Sequence, residues 1–302
     1  MSAPYNIRLI EYGNGTFEIR SYKNCINAAF DQDSSIEPIY SKDYKPKEAG
    51  KQVEIPLTYN PFTETLEYLP TFEELEQEEL NRKRSEKNSR TRTLQNIYKY
   101  SRQCKWEYFI TLTFDSEKCD RYSFDDCNLK TKKWFQHQHD RYCPDLKYLY
   151  VPEMHKDGAF HFHGLIADCG NMKITDSGRV SIGGKAYKRT DSNKHMPTIY
   201  NLEGWRFGWS TATKVSDTKK VSSYITKYIT KELCAVTKNK RRFYRSRNIS
   251  EPSESVFVIE GTKEEKEIFM QKLADSLGGN CTYKKEVSGD YNTVTYRFYE
   301  KE

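Results

Sequence analysis

The chain has 302 residues, of which 36% are hydrophobic and 30% charged, and its formal net charge is +6. That length builds one or two domains with a real core, at ~100–200 residues per domain, and no run approaches the ~18 consecutive apolar residues of a membrane span. The first residues, "MSAPYNIRLIEYGNG", lack a charged lead into an apolar stretch, so no secretory signal is read there and a cytoplasmic setting is expected.

Residues 1–70 read as short strands and turns. "GNGTFEIRSY" carries hairpin punctuation, and Pro38, Pro46, Pro56, Pro61 and Pro70 interrupt any long helix. No role is legible in this N-terminal extension. Thr71, with Glu74 three residues on, has the spacing of a capping box. It would open a helical lead-in over 71–104, broken at most once, that is acidic in "FEELEQEEL" and basic afterwards. From Arg82 to Lys105 nine basic residues accompany one acid, Glu86; from Lys214 to Arg247 eleven accompany Asp217 and Glu232. Segregated cations suit a polyanion, because each neutralised phosphate releases counterions, although solvated helix faces give the same pattern. The eight cysteines are scattered, with no CxxC pair, and read as free thiols without a role.

The pattern changes at Trp106. "WEYFITLTF" is a β-branched and aromatic run that predicts a strand, and "SFDDCNLKTKKWFQHQHDRY" predicts a helix with Ser123 as its cap. "LKYLYVPEM" and "AFHFHGLIA" form a hairpin by the turn chemistry of Lys156-Asp157-Gly158. Residues 168–200 read as a long loop or small hairpin insertion. "GWRFGWSTATKV" predicts another strand, and "KKVSSYITKYITKEL" one continuous helix. Residues 251–302 form a C-terminal α/β extension that reads strand, helix, strand, strand.

Two constellations carry chemistry. Alternation along a strand puts His161 and His163 on one face and Phe162 on the other. Glu153 and His155, across the turn, share a face and compete to supply a third ligand. A carboxylate with two imidazoles suits Mg²⁺ or Mn²⁺ with positions open to phosphate and water; an exposed strand face is the plain alternative. The second constellation is Tyr-x-x-Lys twice over: Tyr224 with Lys227, and Tyr228 with Lys231. On a helix, residues four apart share a face, so both phenols could address one point. A phenol of pKa ~10 needs help losing its proton, which a metal on a phosphate and a nearby lysine would give. An ordinary amphipathic helix with Tyr228 and Ile225 in the core is the plain alternative here.

In order and spacing, "FITLTF", "PEMHKDGAFHFHG" and "YITKYITK" resemble the three motifs of the HUH endonucleases, specifically replication initiators of bacterial plasmids, integrative elements and small single-stranded DNA phages. The resemblance covers roughly residues 80–250, with the catalytic domain set at 105–250. It implies an α+β fold whose central antiparallel five-stranded sheet is flanked by helices. It also implies rolling-circle initiation: metal-dependent nicking and rejoining of single-stranded or locally melted origin DNA through a covalent 5′-phosphotyrosine, in the cytoplasm of a bacterial host. By the same resemblance His161, His163 and Glu153 bind the metal, with His155 open as competitor. Tyr228 and Tyr224 are nucleophile candidates, Tyr228 preferred for lying between Lys227 and Lys231, the electrostatic helpers. Thr111 and Thr113 share a face of the strand beside the site and are candidates for contacting DNA. Arg241, Arg242 and Arg245, among Phe243 and Tyr244, suit a single-strand groove. Trp205, Phe207 and Trp209 could stack on unpaired bases, at least two of them packing in the core instead. "GGKAYK" at 183–188 lacks the spacing of a P-loop, with Ala186 where Ser or Thr belongs. A host helicase and polymerase are therefore expected partners, and no membrane is. A transposase or relaxase of the same superfamily, or a non-catalytic origin-binding protein, are the rival readings. Origin sequence and oligomeric state are not legible.

Overall fold

The computed structural model describes residues 4–27, 57–60, 65–68, 72–237, 240–289 and 292–301. In chain order, strands β1 (Pro4–Glu11) and β2 (Thr16–Asn27) pair, and β3 (Leu57–Asn60) pairs with β4 (Thr65–Tyr68). Helix α1 (Phe72–Ser101), β5 (Tyr108–Thr113) and α2 (Phe124–Arg141) follow. Then come β6 (Lys147–Met154), β7 (Phe160–Ala167), β8 (Ile174–Ile182), β9 (Lys185–Lys188), β10 (Thr198–Leu202) and β11 (Ser210–Lys214). The chain continues through α3 (Thr218–Thr226), α4 (Lys231–Val236), β12 (Tyr244–Arg245) and β13 (Ser253–Phe257) to α5 (Lys263–Ser276), β14 (Gly279–Ser288) and β15 (Thr293–Lys301). Among the described residues, no helix is long and apolar enough to cross a membrane.

The larger sheet is antiparallel, with eight strands in the order β12-β6-β7-β5-β11-β10-β8-β9. The protein is thus mixed α+β, and the sheet exceeds the expected five strands for two reasons. The Gly-rich insertion folds as the β8–β9 hairpin, and the short β12 adds to the other edge. "GGKAYK" is the hairpin's turn and second strand, where Gly183 and Gly184 take positive φ (57° and 79°) as two-residue hairpin turns require. The strand expected from Gly204 narrows to β11, since Glu203 and Gly204 form a turn and Phe207 and Gly208 a bend before it.

The two faces of this sheet follow from alternation. Phe160, Phe162 and Ile166 of β7 point opposite to the histidines, toward α2. Helix α2 buries Phe124, Cys127, Thr131, Trp134, Phe135 and Gln138, a stripe at helical spacing. Phe135 stacks on Tyr148 and Tyr150, with ring centroids 4.0 and 5.3 Å away. Ser123 caps the helix as the sequence predicts, accepting from the Asp126 amide at 3.3 Å. Helix α1 runs unbroken for 30 residues. Residues 72–87 of it are exposed throughout, sustained by pairs such as Glu79–Lys83 at 2.8 Å. Of the capping box read at its start, Thr71 lies outside the described residues. All eight cysteines are free thiols.

The ends of the chain, read separately in the sequence, share one sheet: β13-β1-β2-β15-β14. Strand β2 lies between β1 and β15, so residues from both termini hydrogen-bond across it. Helix α5 closes one face, setting Met270 and Ala274 against Ile7, Leu9, Phe17, Ile19 and Tyr299. Phe17 and Tyr299 stack with centroids 4.7 Å apart. Arg102, at the end of α1, ties this module to the larger one. Its buried guanidinium lies 5.1 Å from the ring centroids of Tyr12 and Tyr98 and 5.5 Å from that of Phe298, an arrangement favoured by desolvation.

Phe17→Ala leaves a cavity between β2 and α5 and is expected to cost about 3–5 kcal/mol of that module's stability. In limited proteolysis the variant should release residues near both termini together. Digestion of one end with the other still protected would mean the two ends do not share a core.

Candidate active site

The site is built by pairing register. Strand β7 lies between β6 and β5, with Glu153 opposite His161 opposite Thr113, and Val151 opposite His163 opposite Thr111. Residues opposite one another in an antiparallel pair project to the same face, so Glu153, both histidines and both threonines line one surface. The turn between β6 and β7 is as tight as the sequence predicts: Gly158 takes φ 88°, and Asp157 accepts from the Ala159 amide at 3.1 Å while pairing with Arg121.

On that surface the side chains interlock. Glu153 Oε2 lies 2.7 Å from His163 Nε2 and 3.5 Å from His155 Nε2. Thr111 Oγ1 lies 3.1 Å from His163 Nδ1; with Nε2–H donating to Glu153, the neutral ring accepts from the threonine hydroxyl. His155 stacks on His161, centroids 3.7 Å apart, so both contenders for a third ligand stand beside the His-x-His pair. Burial, then the neighbouring His155 and His163, push His161 down to about 4. Burial pushes His163 down as well, against the pull of Glu153. Burial works to raise Glu153, but the hydrogen bond from His163 and the surrounding imidazoles hold it below the usual carboxylate range. The donor set is therefore two neutral imidazoles and a carboxylate, chemistry that fits a divalent cation. Among the described residues no three such side chains stand as a ready-made cage; Glu153 and Thr111 engage the two nitrogens of His163.

The tyrosine segment differs from the expected single helix. Helix α3 ends at Thr226, Lys227 to Thr230 form a turn, and Thr230 caps α4 by accepting from the Leu233 amide at 3.1 Å. A threonine that competes for backbone amides is a ready point of interruption; Ile225 and Ile229, on either side of Tyr228, are both fully buried. Tyr228 consequently lies in the turn rather than on a helix face. Its ring lies flat on His163, centroids 3.7 Å apart at 11°, and only 6% of the residue is exposed. Tyr224 is 42% exposed and meets Tyr228 edge-on at 5.5 Å. Lys227 holds its ammonium 3.3 Å from the centre of the Tyr224 ring and 5.2 Å from that of Tyr228. Lys231 begins α4, and its side chain lies outside the described residues. Burial, reinforced by the hydrogen bond to Tyr224, drives the Tyr228 phenol well up. Burial also works to raise Tyr224, but the bond from Tyr228 and the bond and charge of Lys227 outweigh it, leaving this phenol the more acidic of the two.

Two contributors are not legible in the sequence. Phe109, opposite in sense to the core residues Ile110 and Leu112, packs near His163, Tyr224 and Tyr228 at 5.9, 5.2 and 6.4 Å. Arg90 of α1 donates from Nε to the Ile229 carbonyl at 3.0 Å, fixing the turn that carries Tyr228. It stands unmarked among the other cations of its run, because its partner is distant in the chain.

The remaining predicted residues divide by what holds them. Thr113 is bonded to the Trp209 backbone. Arg242 donates to Ser89 Oγ, Thr237 Oγ1 and the Cys234 carbonyl. Arg245 donates to the Ile249 carbonyl at 2.9 Å and covers Tyr100 at 4.0 Å. Arg241 is exposed and makes no hydrogen bond or ion pair among the described residues. These arginines border a groove of about 1280 Å³ at the β12 edge, between α1 and α2, with Lys132, Tyr148 and Arg247 also in its wall. Trp205 is buried and Phe207 packs against it at 5.3 Å, which leaves Trp209 outside the core.

His161 titrates near 4 in the folded chain against an ordinary 6.5. Because the folded-state value is depressed, its contribution is complete above pH 6.5 and is lost as pH falls toward 4. In chelator-treated protein, stability should fall through this window less steeply in His161→Gln than in the wild type, as read by denaturant melts at several pH values. Equal slopes would refute the assignment.

Residues 107–233, from the approach to β5 into α4, match the family model described as replication-associated protein ORF2. No curated protein and no solved structure matches the chain. The matched segment contains the histidines, Glu153 and both tyrosines, and over that segment the chain is similar to replication-associated proteins.

Proposed function

We propose that the protein initiates DNA replication by nicking one strand at an origin and later rejoining it. The observation that carries this reading is the contact of Tyr228 and its neighbours Tyr224 and Lys227 with the His161–His163–Glu153 surface. A hydrolase that activates water has a use for the imidazoles and carboxylate but none for paired phenols under an ammonium. The replication-associated family match supports the biological setting.

His161, His163 and Glu153, with His155 as alternative donor, would hold a divalent ion such as Mg²⁺ or Mn²⁺, which when bound neutralises charge on the scissile phosphate. Tyr224 is the first nucleophile in this reading, because it is the exposed phenol and sits under Lys227. As its oxygen bonds to phosphorus the phenolic proton leaves. The bond from phosphorus to the 3′ oxygen breaks, and that oxygen takes up a proton as a free 3′ hydroxyl. The 5′ phosphate stays esterified to the tyrosine. One phosphodiester replaces another, so attack by a 3′ hydroxyl reverses the step and rejoins the strand. Lys227 supplies positive charge beside the phosphate oxygens, and Thr111 orients His163 through Nδ1. Tyr228, buried against His163, would serve the second transfer once the segment shifts. Strand separation and synthesis fall to a host helicase and polymerase.

The decisive experiment uses end-labelled single strands from the protein's own replicon, with Mn²⁺ or Mg²⁺, on denaturing gels. A metal-dependent adduct on the 5′-phosphate side is expected, abolished by chelator and by the Tyr224→Phe/Tyr228→Phe double variant. Tyr224→Phe should prevent the first cut, whereas Tyr228→Phe should spare both that cut and its direct reversal and block only the second transfer. Cleavage that survives the double variant would point instead to a water-using nuclease. Thr111→Val, which removes the bond to His163, should weaken metal dependence by roughly 10–100-fold in a titration of nicking against Mn²⁺; an unchanged midpoint would remove Thr111 from the site.

A further inference from the structure

The chain has four tryptophans, and three of them (Trp106, Trp134 and Trp205) are buried. Trp209 is 77% exposed. Scattered apolar side chains on a surface need no explanation, so the position and rigidity of this one carry the argument.

Trp209 immediately precedes β11 and is bonded to the last residue of β5. Its carbonyl accepts from the Thr113 amide at 2.8 Å and from Thr113 Oγ1 at 2.9 Å, and its own amide donates to Thr113 Oγ1 at 3.0 Å. The loop before it is equally constrained. Trp205 Nε1 donates to the Thr113 carbonyl at 3.0 Å, and the Asp115 amide donates to the Phe207 carbonyl at 2.7 Å. A Cβ on Gly208 would stand 2.3 Å from the Thr113 carbonyl oxygen, an approach open only to glycine. The backbone under the indole is thus fixed rather than free to fold over and cover it.

Thr113 is also the partner of His161 across β5 and β7. Trp209, Thr113, His161 and Glu153 therefore fall in one row across four neighbouring chain segments, and the Trp209 backbone is two strand spacings, roughly 10 Å, from that of His161. Arg206, three residues before Trp209, is exposed and has no hydrogen-bond or ion-pair partner among the described residues. Asp115, two residues beyond Thr113, is paired with Lys118 at 3.5 Å, which offsets its charge toward a phosphate.

We propose that Trp209 is a stacking platform for one unpaired base of the bound strand, seating the nucleotide beside the reacting phosphate, with Arg206 on the flanking phosphate. The inference rests on the reading of the site as one for single-stranded DNA. It assigns a positioning and specificity-determining role, since Trp209 touches a base and not the reacting atoms.

The test titrates the full chain with a short labelled oligothymidine and with an all-abasic phosphodeoxyribose oligomer of the same length, following anisotropy and quenching of tryptophan emission. Trp209→Ala should weaken oligothymidine binding roughly 5- to 150-fold, the worth of one stacked base, and leave abasic binding unchanged. Trp209→Phe should restore most of the loss, because a ring remains. Equal weakening on both oligomers, no weakening on either, or failure of the wild type to bind oligothymidine would overturn the proposal. Nicking of the origin strand, followed in parallel, separates the two readings. A base-dependent loss in Trp209→Ala without wild-type nicking would overturn only the nicking function; normal nicking with no effect of Trp209→Ala would overturn only the platform.

Discussion

Tyr228 lies flat on His163, and that ring-on-ring contact joins two parts of the chain that have no local reason to meet. One is a strand fixed by pairing on both sides; the other is a turn between two short helices. The contact demands that β7 be held in register between β5 and β6, that Phe109 fill the space beside both rings, and that the turn be held down from outside. Arg90 meets the last demand through the Ile229 carbonyl. Packing of this kind tolerates little displacement, so a change at α1 would be felt at the tyrosines although α1 contributes none of the site's donors.

The arginines show why charge alone misleads. Arg90, Arg102, Arg242 and Arg245 all belong to basic runs that suit a polyanion, yet each is engaged inside the protein. They cap carbonyls, cover aromatic rings, or bridge α1 to the segment after α4. An arginine serves such roles because its planar fork bonds several acceptors while its flat face packs on rings. Arg241 and Arg206 remain exposed, one at the β12 edge groove and the other three residues before Trp209. In the function proposed for the site, a strand of nucleic acid would meet the second near the histidines, while the groove offers phosphate contacts away from them.

The module made by the two termini gives the site a second kind of support. Its sheet has its own core under α5, and it meets the larger module at Arg102, which terminates the same helix that carries Arg90. Helix α1 therefore runs between the terminal sheet and the tyrosine turn. The ends of the chain are mechanically connected to the site while remaining far from it in sequence.

Much of this was legible in the residues themselves. Alternation placed His161 and His163 on one face, the Lys156-Asp157-Gly158 turn paired β6 with β7, and Ser123 marked the start of α2, because each follows from neighbouring residues and backbone geometry. The three-motif order carried the resemblance that a family match over 107–233 supports as far as a replication-associated protein. The break at 227–230 was not legible: "YITKYITK" has good helical spacing, and only in the fold does Thr230 accept from the Leu233 amide while Arg90 donates to the Ile229 carbonyl. Nor could the sequence tell which arginines are engaged, which of Trp205, Phe207 and Trp209 stays outside the core, or that strands from both termini share a sheet. Those outcomes depend on contacts between residues far apart in the chain, where local propensity is silent and packing decides.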